Sequence, residues 1–156
     1  MAREPDYLGV SVAEWTRALK SENPIQRRLA VYALGEIVPR ATSAVGDLIA
    51  ALDDPQPYVR VWAAAALARI APERDEAFAV FRAALQDELA FVRSLAAWHL
   101  GRLGSRLARA EEAIDHVTAL LDDANPSVRA EAELALHQLS GKGAPPVELR
   151  SLVSGS

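Results

Sequence analysis

Pro57-Tyr58-Val59-Arg60 opens a run of alanine and apolar residues that continues without a helix breaker to Ile70. The same phrase stands at Pro24-Ile25-Gln26-Arg27, Ala90-Phe91-Val92-Arg93 and Pro126-Ser127-Val128-Arg129. Its four arginines lie 33, 33 and 36 residues apart. A fixed period of that length marks a helical repeat array, in which each unit shelters an apolar face against its neighbours instead of around one globular centre.

Each unit reads as two helices, A then B. The A helices are predicted near residues 11–21, 43–53, 74–87 and 109–122, and the B helices near 24–38, 57–71, 90–103 and 126–140. Ser11-Val12-Ala13-Glu14 has the spacing of a capping box, which sets the first start. Proline suits the opening turn of a B helix because its missing N–H has no intrahelical partner there. Asn23, Asp54, Asp87 and Asn125 supply turn and cap chemistry just before it. Counted from the proline, positions +2, +6, +10 and +13 form one mostly apolar stripe, for example Val59, Ala63, Leu67 and Ile70. Alanine at +6 in all four units (Ala30, Ala63, Ala96, Ala132) lets the paired helices approach closely.

Gly104 is expected to stop the third B helix within the three-residue excess of the last spacing. Gly35, Gly101 and Gly141 read likewise as residues of helix ends or turns. The organisation that follows is an N-terminal extension (1–10), four helix pairs over 11–140 (11–38, 43–71, 74–104 and 108–140) and a flexible tail (141–156).

Composition narrows the chemistry. The 156 residues are 51% hydrophobic and 24% charged, so the chain is neither disordered nor membrane-spanning in bulk. A charged start without an apolar core predicts a cytoplasmic protein. With no cysteine, disulfides, thiolate metal sites and thiol nucleophiles are excluded. A net charge of −4 disfavours nucleic acid as partner, because much of that affinity comes from neutralised phosphates. His99, His116 and His137 lack a metal-binding arrangement on one helix face, so no metal and no cofactor is expected. Asp53-Asp54, Glu111-Glu112 and Asp122-Asp123 fall at turns or helix starts, where acids serve the dipole and the surface instead of acid–base catalysis. Neither a nucleophile elbow nor a phosphate loop is present, and the reading is non-enzymatic.

Leu52-Asp53-Asp54-Pro55-Gln56-Pro57-Tyr58-Val59-Arg60 with Ala63 and Leu67 resembles the HEAT-like repeats of the phycobilisome-lyase type, as does Leu121-Asp122-Asp123-Ala124-Asn125-Pro126-Ser127-Val128-Arg129 with Ala132 and Leu136. Gln26 and Ala90 depart from the pattern's valine and proline. The resemblance covers roughly residues 11–140 and implies an all-α, right-handed α-solenoid of four HEAT-like helix pairs. It also implies that the repeated arginine pairs with an acid in an inter-helix turn. Arg60, Arg93 and Arg129 are then expected to contact Asp54, Asp87 and Asp123, of their own or an adjacent turn. Members of such families include scaffolds, lyase subunits and nucleic-acid enzymes, and fold analogy does not choose among them.

A second stripe runs along the B helices at +1, +5, +8 and +12, and it is aromatic in the first three units. Aromatic and arginine side chains are favoured anchors at protein interfaces. The residues expected to hold a protein or peptide partner on the concave B-helix face are Tyr32, Tyr58, Trp62, Phe91 and Trp98, with Arg69 and Arg102 on the rim. Packing between repeats competes with that role at +5, where Leu29, Trp62 and Leu95 stand. Trp15 and the polar fourth B helix (Glu131, Glu133, His137, Gln138) read as shields for the two ends of the array. Two alternatives to a protein-binding scaffold remain: a lyase- or chaperone-like subunit handling a bilin-type ligand, and a nucleic-acid-binding protein. Homodimerisation through the apolar stripe stays open.

Overall fold

The computed structural model describes residues 6–37 and 40–141, without the side chain of Ser105. The chain divides into two compact units, Met1–Val80 and Phe81–Ser156. The first begins with a hairpin of β1 (Asp6–Tyr7) and β2 (Val10–Ser11), followed by α1 (Val12–Ala18), α2 (Pro24–Glu36), α3 (Val45–Ala51) and α4 (Pro57–Ile70). The division falls inside α5 (Glu76–Ala84), and the second unit continues with α6 (Ala90–Leu103), α7 (Ala110–Thr118) and α8 (Pro126–Leu139).

The helices follow the repeat. Ser11 caps α1 through its hydroxyl, which accepts the Glu14 N–H, while the Glu14 carboxylate accepts the Ser11 N–H at 2.9 Å. Asn23 and Asn125 cap α2 and α8, and all three B-helix prolines occupy the first turn. Gly104 ends α6 with φ +53°, a backbone region that a side chain disfavours. The A helices are shorter than the periodicity predicts, and tight 3₁₀ turns complete two of them, Thr42–Ala44 before α3 and Ala119–Asp122 after α7. The predicted tail beyond Gly141 lies outside the described residues, as do residues 38 and 39.

The N-terminal extension is partly structured, which the sequence reading did not anticipate. Leu8 and Gly9, with φ +55° and +78°, turn the chain so that Tyr7 pairs with Val10 and Asp6 with Ser11. Two adjacent positive φ values match the twist of a two-residue hairpin. Buried Trp15 fastens this hairpin, its indole N–H donating to the Tyr7 carbonyl at 3.4 Å.

In the first unit α2 packs along α4, with α1 against α2 and α3 against α4; in the second α6 packs along α8, with α7 against α8. The predicted core stripe is sealed at Ala30, Leu34, Val59, Ala63 and Leu67, and at Val92, Ala96, Leu100, Val128 and Ala132. Each fully buried leucine contributes roughly 1.5–3 kcal/mol of hydrophobic stabilisation. Gln26 departs from the stripe, being exposed and accepting the Ser21 hydroxyl, and Leu136 is half-buried.

Gly35 and Gly101 fall in the last turns of α2 and α6, at helix ends as the sequence reading has them. Both lie within helices and are buried where two B helices cross. A Cβ on Gly35 would stand 3.3 Å from the Ala66 Cβ. A Cβ on Gly101 would stand 2.8 Å from the Ala135 Cα and would overlap the Gln138 side-chain oxygen. Backbone contact that close leaves no room for a side chain.

Candidate functional site

The stripe at +1, +5, +8 and +12 takes a different form in each unit, because the helix that faces it carries different residues. In the first unit, α2 presents Ile25, Leu29 and Tyr32, and α4 presents Tyr58 and Trp62. The rings are already engaged. Tyr32 meets Tyr7 edge-on at 5.8 Å and Trp62 edge-on at 5.5 Å between centroids. The β1–β2 hairpin thus extends the aromatic row of the B helices by one ring. Tyr32, Tyr58 and Trp62 are all half-buried, and the large exposed apolar groups on α2 and α4 are Ile25 and Leu29. Arg69 does not stand free on a rim: its Nη1 donates to Glu36 Oε1 at 2.6 Å.

In the second unit an open groove of about 510 Å³ lies between the N-terminal halves of α6 and α8. Phe91, Leu95 and Trp98 form its apolar wall and Ser94 adds a hydroxyl; Asn125, Ser127 and Glu131 line it as well. The helix period explains the groove. Ser127 and Glu131 occupy the positions of α8 that Tyr58 and Trp62 occupy in α4. Two aromatic rings are replaced by a hydroxymethyl group and a carboxylate, so Trp98, the counterpart of Tyr32, borders space and not a neighbouring indole. Phe91 is 54% exposed, and Trp98 carries the Arg102 guanidinium 4.9 Å from its ring centroid. Burial pushes the Glu131 carboxyl above the usual range.

Sequence reasoning assigned Glu131 to the shielding of an open end, read Asn125 as a cap and Ser127 as part of the repeat phrase, and gave none of them or Ser94 a binding role. The available signal was the loss of aromatics at +1 and +5 in the fourth unit beside an aromatic third unit.

The repeated arginines form a separate arrangement at the inter-helix turns. Each donates through Nη1 to two carbonyls of its own turn: Arg27 to Ser21 and Glu22, Arg60 to Asp54 and Pro55, Arg93 to Asp87 and Glu88, Arg129 to Asp123 and Ala124. Arg27 and Arg93 also reach the acid of the next turn. Arg27 binds both oxygens of Asp54 at 2.6 and 3.0 Å. The acids are themselves fixed, since Asp54, Asp87 and Asp123 accept the N–H of Gln56, Leu89 and Asn125 at 2.9 Å. Arg27 was absent from the predicted pairs, although its alignment with the other three arginines marked it.

Burial opposes the charge on Asp54, but the Arg27 hydrogen bonds, the Gln56 N–H and the charges of Arg27 and Arg60 outweigh it and hold the carboxyl below its usual range. The Arg93 hydrogen bonds do the same for Asp123. Charge-assisted hydrogen bonds of this kind tie one inter-helix turn to the next.

His99 is buried against Phe81 and Trp98, and His116 lies 3.8 Å from Glu112. Among the described residues no cluster of histidine and acid has the makings of a metal site. No described helix is long and apolar enough to cross a membrane.

Helix pairs recurring at a fixed period, stitched at their turns by an arginine and an acid, define an α-solenoid repeat protein. The chain belongs to the HEAT-repeat family, whose repeats match residues 12–76 and 45–137. Among solved structures it is similar to a chain of the complex of CpcE and CpcF of phycocyanin lyase from Nostoc sp. PCC7120, with 19% identity and a TM-score of 0.51. That match covers 98% of this chain and 79% of the other, and at such identity it carries the fold alone. No curated protein matches the chain.

Proposed function

We propose that this HEAT-repeat protein is a non-catalytic interaction module that seats a segment of a partner protein on its B-helix face, with the groove between α6 and α8 as the seat. The observation that carries this reading is the groove itself: an exposed phenylalanine and a half-buried tryptophan on one wall, opposed by polar groups. Large rings with few rotors flanked by hydrogen-bonding groups make the strongest protein hot spots. The predicted anchor set narrows accordingly. Phe91 and Trp98 line the seat; Tyr32 and Trp62 are committed to their ring contacts in the first unit, Arg69 to Glu36, and Arg102 to the face of Trp98.

Affinity capture with wild type and with Phe91→Ala tests this. Phe91 is exposed, so the variant keeps its helical circular dichroism. Proteins held by wild type and lost by the variant support the module; an identical set at equal yield overturns it.

The second reading, a subunit that handles a bilin-type ligand, has in its favour the aromatic wall and the volume of the groove. With no cysteine in this sequence, such a ligand would be held without a thioether. It requires induced visible circular dichroism when a free bilin is added.

A further inference from the structure

Glu131 is the one charged side chain in the groove lining, and it makes no hydrogen bond or ion pair among the described residues. The arginines of the same helices are occupied. Arg93 is bound to Asp123, Arg129 to the carbonyls of its turn, and Arg102 lies over Trp98. On the inter-helix turns Asp54 and Asp123 are paired with arginine; here the carboxylate stands half-buried beside an aromatic wall with nothing against it. Its counterpart in the first unit is Trp62, which closes the equivalent space. The substitution therefore both opens the groove and puts a negative charge into it. A cation brought there meets one carboxylate, the hydroxyls of Ser94 and Ser127, and an aromatic wall. That combination suits a guanidinium or ammonium group on an aliphatic stem.

We propose that Glu131 makes the groove selective for a basic side chain, so that the partner segment is one in which an arginine or lysine follows an apolar residue. The apolar residue packs against Phe91 and Leu95, and the cation lies between Glu131 and Trp98. This rests on the reading of the groove as a partner seat and adds the chemical class of the occupant. A half-buried carboxylate with few competing partners gains more from a cation than an exposed one does, since it is already partly stripped of water.

The test uses two terminally blocked dipeptides, acetyl-Phe-Arg-amide and acetyl-Phe-citrulline-amide, which differ in charge and hardly in shape. Each is titrated into the full chain while the amide resonances of Phe91, Ser127 and Glu131 and the Trp98 indole are followed by NMR. Saturable shifts of these signals with the arginine peptide, at an affinity at least about fivefold above citrulline, are expected. In Glu131→Gln the preference disappears. Equal affinity of wild type for both peptides, or a preference retained in Glu131→Gln, overturns the selectivity while leaving the groove as a seat. No shift at these signals with either peptide up to millimolar concentration overturns both the selectivity and the seat.

Discussion

Arg93 holds the carboxylate of Asp123 with two hydrogen bonds, Nε to Oδ2 at 2.7 Å and Nη2 to Oδ1 at 2.8 Å, while its remaining nitrogen closes the turn that precedes its own helix. One side chain thus ties the turn at Asp87 to the turn at Asp123. The planar fork of guanidinium is what allows it, because an ammonium presents a single point of attachment. Arg93→Lys is therefore expected to lower the melting temperature despite keeping the charge, and Arg93→Ala to lower it further. A lysine variant that melts with wild type would show that the fork is dispensable.

Asp54 sits in the matching position of the first unit and is only 8% exposed. Asp54→Ala leaves the half-buried Arg27 guanidinium without its carboxylate and Gln56 without its acceptor, at an expected cost of about 3 kcal/mol. Urea denaturation of wild type and variant measures it. A change below about 1 kcal/mol would place Asp54 among ordinary surface pairs.

Acid dependence follows from the same two residues. The folded chain holds Asp54 and Asp123 below the carboxylate value of the unfolded chain, so folding releases protons from them. Their stabilisation is complete above that unfolded value, about pH 4, and is lost as pH falls through the lower folded values. The urea midpoint of wild type should drop steeply from pH 5 towards pH 2, and that of an Asp54→Asn, Asp123→Asn double variant should drop less. Parallel curves would remove these acids from the account.

Glu131 behaves in the opposite sense. Burial raises its pKa, so the folded state binds the proton more tightly than the unfolded state, and the stability this brings is lost as pH rises through the folded value. At pH 7 the charged form is a small burden, and Glu131→Gln should raise stability by a few tenths of a kcal/mol, within the range of half-exposed sites. At pH 3 the difference should vanish. A Glu131→Gln variant less stable than wild type at pH 7 would reveal a structural partner for the carboxylate.

Gly35 and Gly101 occupy the same position in two repeats but should respond differently to alanine. At Gly35 the new Cβ meets the Ala66 Cβ at 3.3 Å, and the gain in helix propensity, about 1 kcal/mol, offsets the squeeze. At Gly101 the obstacle is the Ala135 backbone at 2.8 Å, and overpacking of about 1–3 kcal/mol exceeds that gain. Thermal melts should place Gly35→Ala near wild type and Gly101→Ala well below. The reverse order would mean that the helices crossing at Gly101 separate freely.

Much of this protein was written locally. The fourfold proline and arginine phrase, the apolar stripes and the Ser11–Glu14 capping box specified eight helices and their order, because helix starts and amphipathic faces depend on residues three or four apart. The β1–β2 hairpin escaped that reading, since two residues per strand carry no periodic signal and its anchor, Trp15, lies on the following helix.

The groove, the closed glycine crossings and the partners of the arginines belong to a different scale. Each depends on which residue of one repeat stands opposite which residue of the next, some 30 positions away: Arg27 on Asp54, Gly101 on Ala135, Trp98 across from Glu131. Ser127 and Glu131 read along their own helix are merely polar. They become the lining of a cavity only when helix packing sets them against Phe91 and Trp98, because empty space, unlike helicity, is a property of two surfaces at once.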